Sequence, residues 1–401
     1  MVGTEVDFCG ILREREGGRR QLAVVVRDLA GTVASPDLDA SRLSDECLFE
    51  PRVFAWHFGN GRDAMELSQL VAPGLRGSGG PIAVKSDAAG AIFVSGLGHL
   101  DTNSPNTDFR LLLDGGQGNF DLATPDGRPA AFAHRPSLRI PGTAVELVQE
   151  ADPVIKAFWE NHIGGKEDFR VERDAAAYMR GLAEALRIIG QVAPSFHGPL
   201  VDSLRSVVLF RHTSVISFAA LGLHGMLFLN VCRPTTLPFF IDGFVHQGGH
   251  VVFREATIDR PSLFKIDPDT QIHVLTGGLD KRSIYDVLHG LFTEHALVHV
   301  FHRALRHGAV TPGNALELSG RAALTMKRFE SDLAVMGSVA AEVFSPDGTR
   351  LFDLFSRGFE AARRDASNEQ YDLSGQPAEF DLEAFLASNK IGHKQATFLR
   401  S

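Results

Sequence analysis

In the stretch FVHQGGHVVFREA, residues 244–256, His246 and His250 stand four positions apart inside an apolar pattern of helical period. Side chains at i and i+4 of a helix are neighbours, with Cβ atoms about 5–6 Å apart, so two imidazoles there can converge on one metal ion. Arg254, a further four positions on, shares that face. Hydrolytic helices of the HExxH kind carry a glutamate after the first histidine, which takes a proton from metal-bound water. Here the position is Gln247, and an amide does not act as a base at neutral pH. The frame of a metal-binding helix without its hydrolytic base points to metal chemistry of another sort.

Eight of the sixteen histidines fall between 246 and 307. The segment SIYDVLHGLFTEHALVHVFHRAL (283–305) reads as a second helix that offers His289, Glu294, His295, His299 and His302. Positions 289, 294 and 295 point in different directions on a helix, so they cannot all face the first helix, and spacing leaves the choice open. His299 and His302 lie a turn or more beyond and read as structural or exposed. The alternative for the whole set is histidines that are solvated or hydrogen-bonded within a core. Gly248 and Gly249 each cost a helix roughly 1 kcal/mol relative to alanine. Close approach of another backbone, that of the 283–305 helix, is the expected compensation.

The elements that must hold these residues can be read along the chain. Residues 10–35 suggest a helix. Between about 80 and 150, runs such as PIAVKS, AIFVSG, FRLLLD and AVELVQ alternate with turn sequences such as DAAG, DGGQGN and TPDGR, a texture of short antiparallel strands. Asp152 followed by Pro153 reads as an N-cap and first helical residue. Val171, Ala175, Met179, Leu182, Leu186, Ile189 and Val192 form a helical stripe. SVVLF and GMLFLNV then read as two strands preceding the histidine helix, which is expected to start with Asp242 as its N-cap and to end before Pro261. Further helices are expected around 318–337 and 349–364. The fold class is therefore α+β, with a β-rich portion over 1–150 for recognition or capping and a mainly helical portion with a small sheet over 151–401.

Composition narrows the function classes. The chain has 401 residues, 44% of them hydrophobic and 22% charged, enough for two or three cores. A net charge of −9 without a basic block argues against nonspecific nucleic-acid binding, which needs clustered Lys and Arg. The first residues, MVGTEVDFCG, lack a signal-peptide pattern, and no long uninterrupted apolar stretch appears, so a cytoplasmic, non-membrane protein is expected. Cys9, Cys47 and Cys232 lie far apart, which suits reduced, buried thiols. GSGG (77–80) and GGQG (115–118) are not followed by GK[ST], and there is no GxSxG elbow. A peptide or small molecule is the partner that fits.

From about 178 to 305 the order of pieces resembles the HExxH-motif peptide-modification proteins of ribosomal-peptide gene clusters, which include iron and 2-oxoglutarate dependent peptide β-hydroxylases. A long helix is followed by GMLFLNV, then by FVHQGGHVVF in place of a VHExxH helix, then by YDVLHGLFTEHALVHVF in place of a VLHG-like helix. The resemblance implies a zincin-like helical portion, iron(II) held by His246, His250 and His289, and hydroxylation of a peptide side chain, such as one in a ribosomal precursor. Gln247 departs from the family's glutamate and counts against peptidase activity more than against an oxygenase. Three protein ligands leave about three positions for a bidentate 2-oxo acid and oxygen. The oxo acid's far carboxylate needs a cation; Arg254 is the first candidate, with Arg321 and Arg328 behind it. Exposed helix salt bridges are the alternative role for each arginine. If GMLFLNV is an edge strand, an extended peptide could pair with it. The rivals are a zinc hydrolase with Glu294 or Glu255 as base, and a non-catalytic peptide-binding relative.

Overall fold

The structure is a computed structural model that describes residues 8–33, 41, 43–58, 65–75, 80–113, 119–163, 169–233, 235–365, 370–377 and 379–391. Helix α1 (Phe8–Val33) precedes four short helices, α2 (Asp45–Leu48), α3 (Pro51–Phe58), α4 (Leu67–Leu70) and α5 (Ala72–Leu75). Strands β1 (Ile82–Lys85), β2 (Ala91–Val94), β3 (Gly98–Asp101), β4 (Asp108–Leu113), β5 (Phe120–Ala123), β6 (Ala133–Pro136), β7 (Leu138–Arg139) and β8 (Glu146–Val148) follow. Next come α6 (Pro153–His162), β9 (Arg170–Val171), α7 (Met179–Val192) and α8 (Pro194–Ser203). Strands β10 (Ser206–Arg211), β11 (Phe218–Ala219) and β12 (Met226–Asn230) complete the described strands. The rest is helical: α9 (Leu237–Ala256), α10 (Ile272–Thr276), α11 (Ile284–Arg306), α12 (Pro312–Val343), α13 (Pro346–Asp365) and α14 (Leu382–Ser388). The mixed α and β content expected from the sequence is present, with sheets in the first half and helices after them. No helix among the described residues is long and apolar enough to cross a membrane.

Two compact units divide the chain, and neither is continuous in sequence. One comprises residues 20–179 and 204–233; the other comprises 1–19, 180–203 and 234–401. This differs from a cut after residue 150. The reason lies in the sheet order β11-β12-β10-β8-β7, in which β10 runs parallel to both β8 and β12. Parallel neighbours need long connections, so β10 and β12 belong with strands that precede them by more than fifty residues. β10 is buried along Ser206–Phe210, as a strand between two parallel neighbours must be. The GMLFLNV strand, β12, is not an edge: β10 pairs with it along its length, and β11 covers Leu227 and Phe228 on the other side.

In the strand-bearing unit, β1-β4-β5 and β2-β3-β6 are antiparallel sheets. Alternating burial in β1 and β4 sends Ile82, Val84, Phe109 and Leu111 into a core shared with Ile92, Val94 and Leu100. A second core packs Trp56, Trp159, Phe210 and Phe228 together. Asp152 caps α6 by accepting from the Val154 and Ile155 amides, with Pro153 in the first turn. The five helices before β1 show that the first 150 residues are less purely β than their strand texture suggests. Val171 of the expected long stripe lies in β9 and Ala175 in a 3-10 turn, so the α-helix begins only at Met179. Cys47 is buried and Cys232 exposed, both as free thiols, so Cys232 departs from the expected burial.

In the helical unit, α9 starts earlier than Asp242. Thr236 caps it by accepting from the Phe239 amide, and a proline occupies the first turn. Asp242 lies inside the helix and pairs instead with Arg321 at 2.7 Å. The helix ends at Ala256, before Pro261 as expected. Ser283 caps α11 by accepting from the Asp286 amide. α9 and α11 run antiparallel, since Thr257 meets Tyr285, Phe253 meets His289 and Gly249 meets Thr293. A Cβ at Gly249 would stand 3.2 Å from the Thr293 methyl and 3.7 Å from Phe292. The compensation for that glycine is thus close packing by α11 side chains rather than by its backbone.

On another face of α11, His295 packs between Phe329 of α12 and Phe355 of α13, and a Cβ at Gly358 of α13 would overlap its ring. Gly358→Ala should therefore destabilise the protein by about 1–3 kcal/mol in urea unfolding, the usual cost of overpacking, even though alanine is the better helix former. An unchanged or higher urea midpoint would contradict this packing.

Candidate metal and anion site

Helix pairing decides which of the expected ligands meet. His250 on α9 and His289 on α11 face each other with Nδ1 of the first 2.9 Å from Nε2 of the second. Their rings are nearly perpendicular, 86°, with centroids 4.3 Å apart. His289 Nε2 also lies 3.2 Å from the His250 carbonyl oxygen. With hydrogen on His289 Nε2, that one N–H serves both acceptors. Burial pulls both imidazoles well below their ordinary pKa, and the nearby Arg254 charge adds to the effect, so both rings are neutral. Phe253 stacks on His289 at 5.1 Å, which fixes that ring's plane.

His246 lies one turn back on α9, its ring centroid 5.1 Å from that of His250. Burial lowers its pKa as well. The fit to a metal can be tested on these distances. Two imidazole nitrogens at about 2.1 Å from one ion stand roughly 3.0 Å apart when they subtend a right angle, so the His250–His289 separation suits adjacent ligands once both nitrogens present lone pairs. Among the described residues, however, no three His, Cys, Asp or Glu side chains gather closely enough to hold an ion. The pair is in place and the triad is not assembled.

The other expected participants divide clearly. Arg254 follows His250 on the same face, and its Nε and Nη1 atoms are buried without a hydrogen-bond partner. Burial, then the charge of Arg260, weakens its hold on its proton relative to an ordinary guanidinium. Arg260 itself lies over the Tyr285 ring at 4.1 Å, and the Tyr285 hydroxyl bonds Thr257 at 2.8 Å. Arg321 is buried and already matched by Glu317 and Asp242, each at 2.7 Å, so it is closed to a ligand. Arg328 reaches the Pro377 carbonyl at 3.4 Å, while its charge is felt by His246.

Of the two glutamates considered as bases, Glu255 is buried in a network with Arg15 Nε at 2.8 Å and the Ser203 hydroxyl at 2.7 Å. Glu294 keeps one carboxyl oxygen buried without a partner, and burial together with Asp332 raises its pKa well above the carboxylate range. Burial thus shifts Glu294 toward its protonated form. His295 belongs to the α12 and α13 side of α11 and not to the histidine pair. Tyr285 and Arg260 were not singled out from the sequence. Tyr285 precedes His289 by four positions, a spacing that could have placed it beside the pair. Arg260 gives no comparable signal, because it arrives from the connection after α9. Comparison with protein-family models and with curated proteins finds no match to this chain.

Neutral buried histidines also set a pH dependence. On α11, burial lowers His295 to about 3 and His299 to about 4. Above pH 6.5 these groups are neutral in both folded and unfolded chains and contribute nothing. Below it the unfolded chain binds protons that the folded chain refuses, so stability falls with pH until the folded values are reached. The urea midpoint should therefore drop between pH 7 and pH 4, and His295→Leu should flatten that slope. A slope unchanged in the variant would contradict a neutral, buried His295.

Proposed function

We propose that α9 and α11 form the core of a zincin-like metal site in which His246, His250 and His289 hold iron(II), and that the protein is a 2-oxoglutarate dependent oxygenase hydroxylating a peptide side chain in the cytoplasm. The observation that carries this reading is the approach of His250 and His289 to 2.9 Å from two helices, beside a buried guanidinium with two unpartnered nitrogens. Iron(II), when bound with the oxo acid and oxygen, would supply the oxidant needed to attack an unactivated C–H bond.

The chain's own residues would do the rest. Neutral imidazoles are the protonation state that ligates, and their depressed pKa values keep them so at neutral pH. Arg254 would bind the far carboxylate of the oxo acid, which would relieve its uncompensated burial. Phe253 wedges against His289 and keeps that ring aimed at α9. Gln247, buried beside the first histidine, offers no base for hydrolysis. A zinc hydrolase would need one from Glu255 or Glu294, but Glu255 is ion-paired and Glu294 is held protonated.

A second reading, a non-catalytic peptide-binding relative, is favoured by one observation: the direct His250–His289 hydrogen bond satisfies one nitrogen of each ring without an ion. Metal loading separates the two. Purified protein given iron(II) without oxygen should retain it stoichiometrically, and oxygen with 2-oxoglutarate should then release succinate. His250→Ala and His289→Ala should abolish retention. Arg254→Gln should keep the iron while raising the 2-oxoglutarate requirement by roughly ten-fold or more, the scale of a lost charge-assisted pair. Absence of iron retention in the unmodified protein, or succinate release that survives both histidine substitutions, would overturn the oxygenase.

A further inference from the structure

The strand-bearing unit contains a buried charge count that does not balance. Arg52 is fully buried; its Nε donates to Asp152 at 2.6 Å and its Nη1 to Glu50 at 2.7 Å, while its guanidinium lies over Phe93 at 4.0 Å. Asp152 uses its other oxygen to cap α6, and Glu50 uses its other oxygen to accept from the Ser95 hydroxyl at 2.8 Å. A third carboxyl, Glu146 at the start of β8, comes only to 3.6 Å from Arg52 Nη1, outside hydrogen-bond range. One guanidinium thus faces three carboxyls. Burial, with the charges of Glu50 and Asp152 adding to it, raises Glu146 to about 7.

The unmatched carboxyl opens on a cavity. Glu50 and Glu146 line a space of about 250 Å³ whose wall also carries Ser95, Ser137, Arg139 and Arg205. That is just below the range of drug-sized pockets, about 300–1,000 Å³, and it suits a small metabolite. Three wall groups are available to a guest. The Ser137 hydroxyl is buried without a partner, as is Arg205 Nε, although another nitrogen of Arg205 pairs with Glu46. Arg139 is exposed on β7, close enough for its charge to act on Glu146.

We propose that this cavity binds a small zwitterion of the α-amino-acid type, with its ammonium against Glu146 and its carboxylate toward Arg139 and Arg205. A primary ammonium has three N–H donors, which match the Glu146 carboxylate and the hydroxyl oxygens of Ser95 and Ser137. A divalent cation suits the same wall poorly, because both Glu50 oxygens are engaged and three guanidinium groups stand nearby. A carboxylate on the guest gives Arg205 Nε the acceptor it lacks. The cavity and the histidine pair belong to different units, and the proposal does not depend on what that pair does.

Binding draws Glu146 into its ionised form. Near neutral pH, where part of the population is protonated, each binding event releases a fraction of a proton to solvent. The test uses the full chain. The proteinogenic L-amino acids are screened by thermal shift, and the one giving the largest shift is titrated by calorimetry at pH 7 in two buffers of different ionisation heat. Its decarboxylated amine and its deaminated acid are titrated beside it. The expected result is a rise in melting temperature for at least one amino acid, a buffer-dependent heat, and binding at least ten-fold weaker for both truncated analogues. Glu146→Gln should weaken binding at least ten-fold. Arg139→Ala, at an exposed position, should weaken it while leaving the ligand-free melting temperature unchanged. The proposal is overturned if no amino acid shifts the melt, if the amine binds as tightly as the amino acid, or if folded Glu146→Gln binds normally.

Discussion

The packing of α9 on α11 is the constraint on which the histidine site depends. Gly249 leaves room for Thr293 and Phe292, where a Cβ would stand 3.2 Å from the Thr293 methyl, and this closeness accompanies the meeting of His250 and His289. A bulkier residue at 249 would push the helices apart, and the ring pair would separate by a similar amount. Helices in ordinary contact have axes about 8–10 Å apart, so side chains as short as imidazole can meet across the gap only when the contact surface is locally small. Stacking by Phe253 and the hydrogen-bonded Tyr285 then remove the remaining freedom of the His289 side.

Charge is distributed around this contact with a consistent sign. Burial keeps the histidines neutral, the nearest glutamates are either ion-paired or protonated, and Arg254 and Arg260 provide positive charge beside Tyr285. Arg254 keeps two buried nitrogens without a hydrogen-bond partner beside the pair, with Asp286 also acting on its charge. Arg321 shows the opposite case: its ion pairs with Glu317 and Asp242 are complete, and they tie α9 to α12 without leaving donors for a guest.

Much of the fold was legible in the sequence where a local signal sufficed. Short apolar runs between turn sequences gave the strands between 82 and 148 apart from β3, Asp152–Pro153 marked the start of α6, and apolar spacing located α7 from Leu182 to Val192 and also α11. The i,i+4 spacing put His246 and His250 on one face, but that His289 rather than Glu294 or His295 meets His250 was not readable from spacing and came only from the family resemblance. What was not legible depends on contacts distant in sequence. The Thr236 cap was hidden because Asp242 is an equally good capping residue by type. The burial of β12 between two strands requires knowing its partners, and the fate of an arginine depends on carboxylates distant in sequence, as Asp242 is from Arg321, 79 positions away.

The discontinuous units have a consequence for how this chain must be made. Strand β8 awaits β10 in the same sheet, and β10 emerges only after α7 and α8, which belong to the other unit. During synthesis β7 and β8 therefore remain without their central neighbour until about residue 211 has left the ribosome, and the helical unit cannot close until the final third of the polypeptide is available to join its opening residues. Cutting the gene at any single position leaves at least one incomplete half, so dissection of this protein into separately expressed pieces calls for rejoined segments rather than simple truncation.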